Sequence, residues 1–409
     1  MADYLLESLG LLLRWLHIVA AIAWIGESFY FVMLDRSLKP AANGDAAIAG
    51  EQWSVHGGGF YRKQKLVGAP AQMPADLHWS KWKAYTTWLS GFALLSLLYL
   101  SSPQMYLVDP GVNALGSDQA VLAAIALLVL AWLGYDLLCR LCGFREGLLG
   151  ALVALWVIGL CLASTSLFAG RAAYLLVGAA LGTIMAANVF FVIIPGQRRM
   201  VAALGRGEAV DPVPGLRGKQ RSVHNTYFTL PVVFAMLSVH YATAYAHPHN
   251  AWVLILFMAA AALIRQFFVV WHSGKRAWGL LGVGSAILLA TFAWLAPTRN
   301  ATSAVTPNSA VAAPMHATEL PAADTAKIQK IMKLHCTACH SAQPSLMASA
   351  PKDLRLDEAQ QIERHAALIR RQVVDLRSMP PGNITSLSEA ERLQIARWAD
   401  TLAVDPTFK

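Results

Sequence analysis

The chain has 409 residues, 56% of them hydrophobic and 14% charged, with a mean hydropathy of +0.45. A water-soluble fold of this size needs far more charge to cover its surface, so the composition excludes an ordinary soluble enzyme. The formal charge of +9 lies mostly in short loops between apolar runs, a mark of membrane topology rather than of a nucleic-acid-binding face.

The chain starts MADYLLESLG, with Asp3 and Glu7 where a signal peptide would carry positive charge. No small-residue cleavage site follows, so the first apolar run is expected to be a retained helix. A helix crosses the hydrocarbon core with about 20 mainly apolar residues. Eight segments meet or approach that length: 9–34, 85–107, 119–138, 147–168, 172–194, 227–246, 251–271 and 277–296. Helices are expected there because the bilayer offers the backbone no partner outside the segment.

The loops between these segments alternate in charge. The odd-numbered loops hold seventeen Lys and Arg residues and the even-numbered loops hold one, Arg171. Under the positive-inside rule, the odd loops are cytoplasmic and both termini face outward. Residues 1–296 therefore read as an eight-helix domain of the bacterial inner membrane. Residues 297–323, rich in Ala, Thr, Ser and Pro, read as a flexible tether. Residues 324–409 then form a small helical domain on the periplasmic side, so the fold class expected is all-α.

That last domain carries His335-Cys336-Thr337-Ala338-Cys339-His340. Two thiols at C-x-x-C spacing can both add to haem vinyl groups, and the following histidine supplies an axial nitrogen. The domain is therefore expected to be a class I-like cytochrome c. A helix is expected over residues 324–334, and another over 388–402, opened by a capping box of Ser388 and Glu391. The second axial ligand is assigned to Met379, in the proline-stiffened stretch RSMPPGN; Met347 is too near the motif in sequence. Cys139 and Cys142 repeat the spacing without the histidine, in a reduced compartment, and are read as structural, as is Cys161.

Ionisable residues at membrane depth are costly and so are functional candidates. Glu27, Asn188 and Arg265 fall in the cytoplasmic half, with Asp76, His78, Trp79, Lys81, His224, Asn225 and His272 at the loop boundaries. A polar cavity there would suit a flat anionic ligand, for which Arg265 supplies a planar fork of donors. The bland alternative is that Arg265 snorkels or pairs with Glu27. Arg14, His17 and His240 lie in the outer half. For the two histidines a helix-to-helix hydrogen bond is the simpler reading, and ligation of a second, non-covalent haem b the alternative.

Several stretches resemble the bacterial membrane-bound urate hydroxylase (urate oxidase) family, whose members join an eight-helix domain to a cytochrome c tail. They are HIVAAIAWIGESFYFVMLDRSL from His17, LHWSKWKAYTTWLSGFALL from Leu77, NVFFVIIPGQRRMV from Asn188, SVHNTYFTLPVVFAMLSVHY from Ser222 and IRQFFVVWHSGK from Ile264. The resemblance implies oxidation of urate to 5-hydroxyisourate, with water supplying the oxygen and the cytochrome taking the electrons. A downstream periplasmic cytochrome c or terminal oxidase would then reoxidise it. On chemical grounds Arg265 or Lys81 could pair with the urate anion. Glu27, His78 and His224 are candidates for the base that activates water. A pocket opening outward, near Arg14 and His240, is the alternative position. Two other classes stay open: a quinol-to-cytochrome c oxidoreductase, and an electron-carrier or transport subunit without its own chemistry.

Overall fold

The computed structural model describes residues 2–296 and 322–404, apart from 43, 69, 71, 72, 75 and 348. The expected tether lies outside the described residues, except that its last two positions already belong to a helix beginning at Ala322.

The first helix, α1, runs Ala2–Ser37. In the first of the expected loops, the chain then forms an antiparallel hairpin, β1 (Ile48–His56) and β2 (Gly59–Leu66), paired from Ile48↔Leu66 to His56↔Gly59. Among the described residues the fold is otherwise helical, as expected, and this hairpin is an addition to the all-α expectation. Its turn residues Gly57 and Gly58 have φ of +56° and +80°, the left-handed pair that a two-residue hairpin turn needs. Gly50 is required at the strand start, because a Cβ there would stand 2.9 Å from the Leu38 Cβ.

Next come α2 (Trp82–Leu95), continued by a π-helical turn over Ser96–Leu100, and the short α3 (Pro103–Tyr106). The span expected over 85–107 is therefore broken after Leu100. Then follow α4 (Ser117–Cys142), α5 (Glu146–Leu167) and α6 (Gly170–Ala187). A second π turn, Asn188–Ile193, joins α6 to α7 (Ile194–Gly205). The bundle closes with α8 (Val213–Ser238), α9 (Ala242–Tyr245), α10 (Asn250–Trp271) and α11 (Trp278–Leu295). The sixth expected span is thus shifted toward the N-terminus: α8 begins in the polar stretch before His224 and ends at Ser238.

Among the described residues, six helical stretches are long and apolar enough to cross a membrane: α1, α4, α5, α10, α11 and the continuous run Gly170–Gly205. The two other expected spans are helical but different: α2 has 14 residues, and α8 is polar over its first half. Their packing explains the sequence pattern. The core lies where α4, α6, α8 and α10 meet, around the fully buried Tyr135, Tyr174, Leu176, Leu181, Ile184 and Leu254. On α1, by contrast, Leu5, Leu9, Leu12, Trp15 and Ile22 are exposed, as expected of a lipid-facing surface.

A separate core forms in the C-terminal part, from α12 (Ala322–His335), α13 (Ala359–Arg364), α14 (Ala366–Arg370) and α15 (Glu389–Val404). Ile328, Met332, Ile369, Ile395 and Trp398 fill it. The capping box is present: the Ser388 backbone N–H donates to Glu391 Oε2 at 2.8 Å, and the Glu391 N–H donates to Ser388 Oγ at 3.3 Å.

Candidate functional site

Three groups of polar residues stand out. The first is buried among α4, α6 and α8, at the end of the bundle nearer the β hairpin. Asp136 of α4 accepts from Arg140 Nε and from Arg221 Nη2, each at 2.6 Å. The Arg221 guanidinium lies 4.9 Å from the Tyr135 ring centroid. The Tyr135 hydroxyl lies 2.8 Å from His224 Nδ1 and accepts from Asn188 Nδ2 at 3.2 Å. Asn188 also donates to Asn225 Oδ1 at 3.0 Å, and Asn225 donates to the Met185 carbonyl at 3.0 Å. Asn188 opens the second π turn, a local widening of the helix that often marks functional positions. Asn188 Oδ1 and Arg221 Nη1 are buried with no hydrogen-bond partner.

Alongside this network are the remaining residues expected to act on substrate. Arg265 is 3% exposed. Its guanidinium lies 3.8 Å from the Phe29 ring centroid, and its Nε and Nη2 lack hydrogen bonds. Glu27 does not pair with it. Lys83 Nζ donates to Glu27 Oε1 at 2.9 Å, and the Ser80 hydroxyl donates to Oε2. His78 is exposed. Among the described residues, no hydrogen bond or ion pair joins any two of Glu27, His78, His224 and Arg265. Four of the network's members, Tyr135, Asp136, Arg140 and Arg221, were absent from the sequence-based candidates. The signal for them was Asp136, a carboxylate inside an apolar run, with a basic residue on a helix that packs against it.

His17 Nδ1 bridges from α1 to α2, 2.9 Å from the Thr87 carbonyl and 3.2 Å from the Ser90 hydroxyl. This is the expected helix-to-helix bond. The ring rests on Gly91, where a Cβ would stand 2.8 Å from its Cε1. His240 is exposed beyond the end of α8.

The second group is the C-x-x-C-H turn that follows α12. Cys336 and Cys339 are free thiols. Burial pushes the Cys336 thiol up to about 12 and raises Cys339 as well. His340 Nδ1 lies 3.1 Å from the Leu354 carbonyl oxygen. Met379 packs against the C-terminal core. Its backbone is pinned at both ends: its N–H donates to the Gln372 carbonyl at 3.1 Å, and its carbonyl accepts from Arg392 Nη1 at 3.2 Å. Among the described residues, no group of three or more His, Cys, Asp or Glu side chains is placed to hold a bare metal ion.

Residues 3–296, which span the whole helical bundle, match the family model described as urate oxidase N-terminal. The chain belongs to the urate oxidase N-terminal family. No curated protein and no solved structure matches it. The family ties the bundle to oxidation of urate, and so to oxidoreductase chemistry. Its match ends at the C-terminus of α11, so the Cys336–Met379 part of this urate oxidase relative lies beyond it.

The third group lies where those two parts touch. Gly382, in the loop that carries Met379, approaches α3 and its C-terminal extension so closely that a Cβ would stand 2.3 Å from the Val108 carbonyl oxygen. Its φ of +55° also favours glycine. Beside this contact is a cleft of about 520 Å³, walled on one side by Arg171, Tyr245 and His247 and on the other by Gln372, Met379 and Asn383.

Proposed function

We propose that the chain is a membrane-bound urate hydroxylase that passes electrons from urate to its own covalently attached c-type haem. The observation that carries this reading is the joining, in one chain, of a urate oxidase N-terminal bundle to a C-x-x-C-H turn. Urate and water give 5-hydroxyisourate, two protons and two electrons.

The residues fit a haem. Cys336 and Cys339 offer two unpaired thiols for the vinyl groups. With His340 Nδ1 bonded to the Leu354 carbonyl, Nε2 is the nitrogen left for iron; a second bond of this kind fixes both tautomer and ring orientation. Met379 is the proposed opposite ligand, and methionine–histidine ligation raises the reduction potential, as an electron acceptor requires. The haem so held supplies one-electron oxidation, so two electrons leave in succession. The protein's own task is to bind the urate anion, orient it and accept its protons.

The bundle crosses the bacterial inner membrane eight times in this reading. The six apolar stretches, the helical form of both remaining segments and the seventeen-to-one division of loop charges support it. Both termini and the cytochrome part are then periplasmic, where haem attachment takes place. A soluble cytochrome c or a terminal oxidase takes the electrons onward. The test is anaerobic addition of urate to the purified, oxidised full-length protein. The reduced haem spectrum should appear with two haems reduced per urate consumed. A haem that dithionite reduces and urate leaves oxidised overturns the proposal.

A further inference from the structure

The urate oxidase N-terminal match says nothing of where the substrate sits, and the candidates in the hairpin half of the bundle lie at the opposite end from the cytochrome part. Electron tunnelling falls steeply with distance, so a site beside the haem needs no relay, whereas one across the bundle does. The cleft at the seam satisfies that condition, because Met379 is part of its wall. Its size, about 520 Å³, is that of a small-molecule pocket.

Its charge is unusual for its position. Arg171 is the single Lys or Arg in the even-numbered loops, a place where the topology disfavours positive charge. It lines the cleft together with Arg377, Arg392 and the carboxylates of Asp109 and Glu389. Arg377 pairs with Glu389 at 2.7 Å, whereas among the described residues the exposed Arg171 guanidinium has no hydrogen bond or ion pair. A planar fork of donors without a partner, at the mouth of a cleft, suits a flat anion. Around it, the aromatic residues Tyr245 and His247 line the same wall. Gln372 and Asn383 sit opposite. A purine monoanion offers the matching features: a plane, a charge, and carbonyl and N–H edges.

We infer that this cleft, between the α6–α9 rim and the Met379 loop, is the binding site for a planar anionic purine, with Arg171 as its charge partner. The inference rests on the urate reading above. It makes the contact of Gly382 with Val108 part of the site, because that contact sets the width of the cleft.

The test uses the haem-loaded full chain in detergent. Urate binding is measured by equilibrium dialysis against dithionite-reduced protein, which cannot turn over, and urate-dependent haem reduction is followed separately. Arg171→Ala should keep the wild-type haem content and spectrum but weaken urate binding about tenfold or more, and Arg171→Lys should recover part of the loss. Gly382→Ala, which forces the seam apart, should slow reduction by urate and leave reduction by dithionite unchanged. If wild-type protein binds and is reduced by urate while all three variants match it, the cleft is not the site. If urate neither binds to nor reduces the wild type, the urate reading itself fails and the cleft assignment with it.

Discussion

The Nδ1 of His340 and the carbonyl oxygen of Leu354 lie 3.1 Å apart across fourteen residues of chain. That bond orients the imidazole before any haem is present, and it makes the opposite ligand the next question. Met379→Ala should lose the methionine-to-iron absorption band and lower the reduction potential of the haem, while covalent attachment through Cys336 and Cys339 persists. Met347→Ala should change neither. The reverse pattern would transfer the assignment to Met347.

Arg265 is the most buried cation of the hairpin half, and Glu27 is already neutralised by Lys83. With the substrate in the seam, Arg265→Lys should leave the urate concentration for half-maximal haem reduction unchanged. Its effect should appear in thermal stability, through lost stacking on Phe29. A tenfold rise in the urate requirement would instead place the anion at Arg265.

Asp136 and Arg221 are buried together, with side-chain exposures of 8% and 5%. Removing one partner of such a pair strands the other charge, at a cost of about 3–5 kcal/mol. Asp136→Asn should therefore lower the unfolding midpoint of the purified bundle markedly. Asp136→Asn combined with Arg221→Met should recover much of the loss. An unaltered midpoint in the single variant would mean that the pair is not formed.

The Ser388 hydroxyl and backbone N–H hold the Glu391 carboxyl below the usual carboxylate range, with His335 adding to the effect. A depressed carboxylate contributes stability above its unfolded value of about 4.3, and loses it as pH falls through the folded value. Glu391→Gln should thus destabilise the C-terminal part at pH 7, and the difference from wild type should shrink as pH falls below the unfolded value. Ser388→Ala should cost about 0.5–2 kcal/mol at neutral pH by removing the cap. Helicity followed by circular dichroism during thermal unfolding checks both; a pH-independent Glu391→Gln difference would contradict the electrostatic account.

What the sequence determined by itself was whatever depends on neighbours along the chain. Apolar runs became helices because membrane-length hydrophobicity is a local property, and the C-x-x-C-H turn and the Ser388–Glu391 box need only three- and four-residue spacings. The hairpin was legible too, in the Gly57–Gly58 turn between β-prone segments, but its loop position in a helical protein hid it. Tertiary structure alone decided which distant residues meet. Sequence offered Arg265 as the partner of Glu27, whereas the fold gives Glu27 to Lys83, 56 positions away. Tyr135 finds His224 across 89 positions. Arg171 looked like a lone exception to the charge rule until the fold set it opposite Met379 in one cleft. The physical reason is common to all three: helix periodicity fixes which face is buried, but only packing angles and helix ends fix which faces meet.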